Sequence, residues 1–314
     1  MYLSYANTNV SGNSMSYNYE TIRVDIDALQ KCSNNLQTER LKQIAHSAHE
    51  NFTQIAITIA LPHFLMTQSV LSIKHFQYLL EGAVATKNNI QPKSEEAKKQ
   101  LNDFIDMKFK ENDKSHSEEG RELLTKLRQN PIIENAIRIQ ALNSLVNAWT
   151  IFEANAKDIW TFLLNEFQER FLTNILDAKT DNEIEGITGK QISIGFLGKY
   201  SFNVNNKLGD ILSAKYDFTS CTGIKKAFGD LNKTKKDKLI FLDYKDLFLL
   251  EVIRNLIVHK AGIIDEEFIK KSSYTKETKG NRIIIDTDTF EKYEGSATES
   301  LVKLLEFSDG LCKS

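Results

Sequence analysis

Residues 145–164 read LVNAWTIFEANAKDIWTFLL, and this stretch decides the fold class. Its large apolar side chains return every three or four positions, which is the period of an α-helix. The same pattern extends to both sides with few Gly or Pro residues to interrupt it. We therefore predict one long helix, or a closely joined pair of helices, over residues 132–176.

The composition of the whole chain agrees with a helical protein. Its 314 residues are 41% hydrophobic and 26% charged, but include only 3 Pro and 14 Gly. Such sparse breakers favour long helices over many short strands. The prediction is an all-α, mainly helical fold, with at most a short strand near residues 282–286.

A change in charge pattern suggests how the chain is divided. Apolar residues at helical spacing over 25–85 predict two or three core helices. Charged residues dominate residues 86–130. This composition predicts exposed helices or a partly ordered linker in that segment. Roughly 150 residues per domain would allow two domains in this chain. We predict a disordered tail at 1–20, an N-terminal helical domain at 21–130 and a second helical domain at 131–314.

One stretch has the composition of a membrane span. Residues 52–73 contain no Asp, Glu, Lys or Arg and are about long enough to cross a bilayer. However, Gln54, His63 and Gln68 would be costly in lipid, and Pro62 lies at the centre. We expect a buried helix, broken at Pro62, inside a protein core and no contact with a membrane.

Charge and cysteine content restrict the compartment and the partners. The formal net charge is -2, so no global positive field attracts nucleic acid and any RNA contact must be local. Cys32, Cys221 and Cys312 lie far apart and lack C-x-x-C spacing. The first twenty residues are polar and lack the features of a secretory signal. These features predict a cytoplasmic protein.

The residues suited to chemistry lie in EVIRNLIVHKAGIIDEEF, residues 251–268. Arg254, Asn255 and His259 occupy the last turns of a predicted helix that begins near Tyr244. Asn255 and His259 are about 40° apart around the helix axis, and Arg254 is displaced by about 140° from His259. All three side chains could meet at the helix end, since the Arg254 side chain is long.

These residue types suit cleavage of an RNA phosphodiester. Imidazole can take or give a proton near neutral pH, so His259 could act as general acid or base. The Arg254 guanidinium could hold phosphate oxygens and offset charge developing at phosphorus, and Asn255 could orient either group. The 2′-OH of RNA supplies the nucleophile, so this chemistry needs no metal and no cofactor.

A structural explanation of the same residues stays open. Arg254 could pair with a local carboxylate such as Glu251, and His259 could have only a structural role as a residue in the last turn of the helix. An R-N-x-x-x-H string arises by chance in about one chain in a hundred of this size.

The segment resembles the HEPN superfamily (higher eukaryote and prokaryote nucleotide-binding domains). The signature of that superfamily is an arginine, usually followed by a polar residue, with a histidine four to six residues after the arginine. The matching residues are Arg254, Asn255 and His259, with Val258, Gly262 and Asp265 in a continuation seen in many members. Upstream, residues 145–164 resemble the first helix of such domains, including the aromatic–Glu pair Phe152 and Glu153. The resemblance covers roughly residues 132–312 and leaves out the N-terminal 130.

The resemblance implies an α-helical bundle that forms a homodimer, with the arginine and histidine of two protomers facing one cleft. Catalytic members are metal-independent endoribonucleases of toxin–antitoxin, phage-defence and RNA-processing systems. Pairing two sites would supply both the base and the acid that one histidine cannot provide. We therefore expect an RNA substrate and an antitoxin or regulatory partner. The alternative is a non-catalytic module for dimerisation, nucleotide binding or partner binding, as other members are.

Further residues are weaker candidates. Glu153 and Lys260 are candidates for supporting the site, although a polar helix surface explains Glu153 equally well. The basic loop at 232–238 could touch RNA phosphates, although a solvated turn is the favoured interpretation. Its candidate residues are Lys233, Lys235, Lys236 and Lys238. His46 and His49 could bind a metal, but no third ligand is evident and we interpret them as structural.

Overall fold

The computed structural model describes residues 27–87, 89–177, 204–273 and 278–313. The tail predicted at 1–20 lies outside the described residues. The helices in the described ranges are α1 (Asp27–Asn35), α2 (Glu39–Ala85), α3 (Glu95–Leu127), α4 (Pro131–Glu166), α5 (Gln168–Asp177), α6 (Leu208–Ser213), α7 (Cys221–Leu231), a 3-10 helix (Lys233–Asp243), α8 (Lys245–Lys260), α9 (Glu266–Ser272) and α10 (Thr287–Cys312).

The all-α prediction is confirmed. Helices make up 83% of the described part of the chain, and that part contains no β-strand. We predicted at most a short strand near residues 282–286. In that segment, Arg282 forms a single antiparallel bridge with Ile263. The backbone there is extended but pairs at one position only.

The helix pair predicted over residues 132–176 is also confirmed, because α4 ends at Glu166 and α5 begins at Gln168. A face of α4 about 160° wide is buried. We call it the α4 core face; its side chains with no exposed surface are Leu145, Ala148, Trp149, Phe152, Ala156, Ile159, Trp160, Leu163 and Leu164. The two tryptophans and Phe152 are therefore core residues, as the helical spacing predicted.

The chain forms two compact units whose limits differ from the predicted 21–130 and 131–314. The first unit contains the described residues up to Ala56 and from Leu142 onwards, and the second unit is Ile57–Ala141. The start of the chain joins the first unit because α1 packs against α10. Contacts between residues so distant in sequence cannot be recognised from periodicity or from a charge change.

Asp309 in α10 is a second link between the start of the chain and the first unit. Its carboxylate accepts hydrogen bonds from the backbone N–H of Thr38 (2.9 Å) and of Gln37 (3.2 Å) and from the Thr38 hydroxyl (2.7 Å). Lys313 Nζ is 2.7 Å from the same carboxylate. Asp309 is 3% exposed. It therefore serves as the capping acceptor just before α2, where backbone N–H groups lack helical partners.

The helix α2 differs from our prediction for residues 52–73. It runs through Pro62 as one 47-residue helix, so the predicted break is wrong. Proline has no N–H, which leaves the carbonyl of Thr58 without its helical partner. The side-chain amide of Gln140 donates a hydrogen bond to that carbonyl. A donor from α4 thus replaces the missing N–H and lets the helix continue.

The predicted burial of this stretch is wrong as well. Only 17% of the most apolar 18-residue window in α2 is buried, and Phe64 and Ile73 are 54% and 66% exposed. By length and composition, α2 is also the one helix among the described residues that could span a membrane. Its apolar surface is therefore not absorbed by the core of this chain.

The second unit packs α2 against α3, which occupies most of the segment for which we expected exposed helices or a linker. Its small core contains Tyr78, Leu101 and Ile105. The Tyr78 hydroxyl is 3.0 Å from Nε2 of the buried His116. At Gly120, an added Cβ would lie 2.9 Å from the Cα of Thr67, so glycine allows the two helix backbones to approach closely.

The cap at Asp309 predicts a specific dependence of stability on pH. Burial raises the pKa of Asp309, but hydrogen bonds from Lys313, Thr38 and Gln37 outweigh it, so the pKa lies below the ordinary value of 3.8. The bonds therefore stabilise the fold above pH 3.8, and this contribution is lost as the pH falls through the lower pKa of the folded state. Replacing Asp309 with Asn should lower the free energy of unfolding by about 2 kcal/mol at pH 7.

Urea unfolding followed by circular dichroism measures this effect. The difference between wild type and Asp309→Asn should shrink as the pH falls below 3.8. Glu306→Gln, at an exposed position in the interior of α10, is the matched control and should unfold like wild type. Equal unfolding free energies for wild type and Asp309→Asn at pH 7 would show that the cap contributes nothing.

Candidate functional site

The helix α8 carries the three residues of the R-N-x-x-x-H string, and its limits agree with the prediction. It ends where Ala261 (φ 51°) and Gly262 (φ 74°) turn into the left-handed region, and the Gly262 N–H donates to the Leu256 carbonyl at 3.1 Å. Glycine adopts this conformation without strain. At the other side of the helix, the Glu251 carboxylate accepts a hydrogen bond from the backbone N–H of Cys221 at 2.7 Å. This bond holds α8 against the start of α7.

Arg254 lies in a largely buried position. Its side chain is 18% exposed, and its Nη2 is 3.8 Å from the carboxylate of Glu153. Nη1 donates a hydrogen bond to Oδ1 of the adjacent Asn255 at 3.0 Å. The remaining nitrogen, Nε, is buried and has no hydrogen-bond partner among the described residues. The guanidinium therefore keeps one donor that the described part of the protein does not use.

Glu153 connects α8 to α4. One carboxylate oxygen faces Arg254 and the other accepts a hydrogen bond from the Trp149 indole N–H at 2.7 Å. Burial raises the pKa of Glu153 above its ordinary value of 4.5 and Asp217 adds to this, while Arg254 and the bond from Trp149 oppose it. Of the two supporting candidates, Glu153 is thus the one in contact with the string.

The carboxylate that pairs with Arg254 is not the one we considered. Glu251 is only three residues away on the same helix, but it bonds to Cys221, while Glu153 of α4 is the partner of Arg254. The role of Trp149 was also missed, because we considered it only as one of the large apolar side chains of residues 145–164. A signal was present in the sequence, because Trp149 and Glu153 are four residues apart and such residues are neighbours on a helix surface.

His259 lies apart from this cluster. It is exposed in the last turn of α8 and has no hydrogen bond or ion pair within the described ranges. Along an α-helix, five residues separate Arg254 and His259 by about 7.5 Å in rise and about 140° in rotation. The structure thus joins Arg254 to Asn255 and Glu153, while His259 faces solvent.

The lysine candidates lie at the end of α8 and before it in the chain, and Lys260 is exposed. Lys260 is 4.0 Å from Asp265, which caps α9 by accepting a hydrogen bond from the Phe268 N–H at 2.8 Å. The segment we took for a basic loop is the start of the 3-10 helix, which Asn232 caps. Of its candidates, Lys236 and Lys238 are exposed, Lys235 is half-buried and Lys233 is the first helical residue.

The cysteines and the histidine pair supply no second reactive centre. Burial, with Glu306 and Asp309, raises the pKa of Cys32 to about 12, and burial with the nearby Glu251 also raises the pKa of Cys221. Both thiols are therefore protonated, and weak nucleophiles, at neutral pH. His46 is 3.5 Å from Glu50 and stacks on His49, but the described residues contain no group of three that could hold a metal.

Two substitutions at Glu153 separate its charge from its hydrogen bonding. Because the pKa of Glu153 is raised, the environment disfavours the charged form, and Glu153→Gln should be at least as stable as wild type at pH 7. The difference should shrink as the pH falls through the raised pKa towards 4.5, where wild type also becomes neutral. Glu153→Leu should lose about 1–3 kcal/mol, because Trp149 N–H and Arg254 lose their acceptor.

Thermal and urea unfolding of the three proteins provide the measurement. Thr150→Leu, one turn away at an exposed position of α4, controls for the added apolar side chain. A Glu153→Gln variant that unfolds as easily as Glu153→Leu would show that the charge, and not the hydrogen bonding, matters.

The arrangement thus consists of a largely buried guanidinium held between two helices and an exposed imidazole at the end of one of them. The chain matches no model of a known protein family, no curated protein and no solved structure.

Proposed function

We propose that this chain is a metal-independent endoribonuclease of the HEPN type that acts on RNA in the cytoplasm. The observation that supports this most is the exposed position of His259 at the end of the helix that also holds Arg254 and Asn255. An exposed imidazole that no described neighbour engages is available to exchange protons with a bound substrate.

The reaction follows from the properties of RNA and these side chains. A base removes the proton from a 2′-OH, and the 2′-oxygen attacks the adjacent phosphorus. The bond from phosphorus to the 5′-oxygen breaks, and an acid gives that oxygen a proton. The products are a 2′,3′-cyclic phosphate and a 5′-hydroxyl. His259 supplies the base or the acid, and Arg254 stabilises the charge that develops on the phosphate oxygens.

Arg254 is suited to exchange its partner for a phosphate. Its contact with Glu153, at 3.8 Å, is longer than a charge-assisted hydrogen bond, so the carboxylate does not hold the guanidinium tightly. Asn255 accepts from Arg254 through Oδ1, which leaves its amide nitrogen to donate to a phosphate oxygen. In this proposal Glu153 is a positioning residue, because it holds the guanidinium in place until the substrate arrives.

One histidine cannot be the base and the acid in the same concerted step. We therefore propose that two chains pair through their HEPN-like halves, so that each shared cleft contains two copies of His259 and Arg254. A nuclease of this kind would damage its own host, which supports a toxin–antitoxin or phage-defence setting with an antitoxin or regulatory partner. The exposed Lys236 and Lys238 would add salt-sensitive contacts to RNA phosphates.

A second candidate function rests on the environment of Arg254. Because its side chain is 18% exposed and faces Glu153, the pair could serve to fix α8 on α4. The chain would then be a non-catalytic module that dimerises, binds a nucleotide or binds a partner.

Cleavage of labelled RNA in EDTA distinguishes the two. Wild type should cut total RNA or tRNA and leave 2′,3′-cyclic phosphate ends, while His259→Ala and Arg254→Ala should each lose roughly 100-fold or more of the rate. The matched controls are His46→Ala and Arg282→Ala, which replace exposed residues of the same types elsewhere.

The folding of every variant is checked by circular dichroism. If folded wild type does not cleave, or if His259→Ala cleaves as fast as wild type, the nuclease proposal fails. Binding of nucleotides and RNA by wild type and Arg254→Ala then tests the non-catalytic module.

A further inference from the structure

The second unit carries an exposed apolar surface on α2 that is unrelated to the site on α8. We call it the α2 stripe and define it by eight side chains that are 41–80% exposed: Ile57, Leu61, Phe64, Leu65, Ile73, Phe76, Leu80 and Val84. Soluble monomers rarely expose so many large apolar side chains along one element. We infer that the α2 stripe binds the α2 stripe of a second copy of this chain, with the two helices antiparallel.

The stripe follows two neighbouring rows of the helix, in each of which residues are four apart. One row contains positions 57, 61, 65, 69 and 73, and the other contains 64, 68, 72, 76, 80 and 84. Neither row contains a charged residue. This contrasts with the packed neighbour α3, where charged residues dominate the sequence.

The spacing in the rows is symmetric, which favours a second copy over an unrelated partner. A two-fold axis that passes between Val70 and Leu71 places each residue opposite a residue of the other chain, such that the two residue numbers sum to 141. Leu61 then lies opposite Leu80 of the other chain, and Leu65 lies opposite Phe76. The axis exchanges the first row with positions 84, 80, 76, 72 and 68 of the second row, while Phe64 lies opposite the polar Gln77. Over residues 61–80 the two rows are therefore complementary to each other, as a two-fold dimer requires.

The central part of the stripe offers an area suited to a dimer. Ile57 and Val84 are about 180° apart around the helix, so residues 61–80 are the ones that can face a single partner helix. From their exposed fractions and ordinary side-chain areas, Leu61, Leu65, Ile73, Phe76 and Leu80 expose roughly 500 Å². The exposed Gln68, Ser69 and Ser72 add to this area. One partner of a standard complex contributes about 800 Å² to the interface, and one partner of a transient complex contributes less.

Polar residues occur only at the centre of the stripe. Gln68, Ser69 and Ser72 are exposed there, and the two serine hydroxyls bond to carbonyls of their own helix. The proposed axis sets Ser69 opposite Ser72 of the other chain, at the small side chains where two helices approach most easily. Beside them, a groove of about 430 Å³ lined by Leu71, His75 and Phe109 is open to side chains of the partner.

A lipid bilayer is the other apolar surface to consider, and the packing of α3 opposes it. Lys74 of α2 forms an ion pair with Glu119 at 3.1 Å, and Gly120 packs directly on Thr67. A membrane span of α2 would therefore carry charged residues of α3 into the hydrocarbon, at a high cost. A helix lying on the membrane surface commonly has Lys or Arg along its polar face, whereas the only cation within the stripe's length, Lys74, is already paired.

Sedimentation of the full chain and its variants tests the inference. Leu61→Lys should halve the mass of the wild-type assembly, because the lysine would face the apolar Leu80 of the other chain. Adding Leu80→Glu to Leu61→Lys should restore the larger mass, since the antiparallel register brings the two charges together across the interface. Within one chain these positions are about 28 Å apart along the helix, so the restoration cannot arise inside a monomer.

The control is Ile132→Lys, which replaces an exposed apolar residue of the second unit outside the stripe and should leave the mass unchanged. Equal masses for wild type and Leu61→Lys would overturn the inference, and failure of Leu80→Glu to restore the mass would overturn the antiparallel register. Wild type that stays unpaired but sediments with phosphatidylcholine–phosphatidylglycerol vesicles would assign the stripe to lipid instead.

The pairing of the HEPN-like halves in the proposed nuclease is a separate contact. A chain that pairs at both surfaces forms an assembly larger than a dimer, and Leu61→Lys then leaves the dimer of the HEPN-like halves. Unchanged RNA cleavage by Leu61→Lys would show that this second contact is intact, so failure of one proposal can be told from failure of the other.

Discussion

Burial of the α4 core face is the constraint on which the rest of the first unit depends. Nine of its side chains have no exposed surface, and full burial of each large one is worth about 1.5–3 kcal/mol. Polar atoms on this helix then connect it to its neighbours. The Trp160 indole donates to the Ala227 carbonyl of α7 at 2.9 Å, and the Asn165 side chain accepts from the Gly209 N–H of α6 at 2.7 Å. Glu153 makes the corresponding contact with α8.

The position of the candidate site follows from this constraint. Since α4 cannot rotate without exposing its tryptophans, the Glu153 carboxylate is fixed in direction, and Arg254 is positioned by it. His259 is positioned differently, by the point at which α8 ends. The two candidate residues therefore depend on separate parts of the sequence: Arg254 on helix packing and His259 on the left-handed turn at Ala261 and Gly262.

Features that depend on nearby residues could be predicted from the sequence. The α4–α5 pair, the limits of α8 and the cap by Asp265 all follow from periodicity or from residues three or four apart. Features that depend on distant residues could not. Pro62 does not break α2 because Gln140 supplies the missing donor, and the partner of Arg254 is about a hundred residues away in α4. The sequence identified which residues could form a site, but not which of them are in contact.

The hydrogen bonds from the backbone N–H groups of Gln37 and Thr38 to Asp309 also affect the order in which parts of the protein can fold. Domains usually begin to fold during synthesis, starting from the residues that leave the ribosome first. Here α1 and the first turn of α2 emerge early, but their packing partner and capping carboxylate lie in α10. The first unit therefore cannot be completed until residues 287–312 have been made and released from the exit tunnel. Chaperones that bind nascent chains would meet α1 before its partner exists, and the site on α8 would form only at a late stage of synthesis.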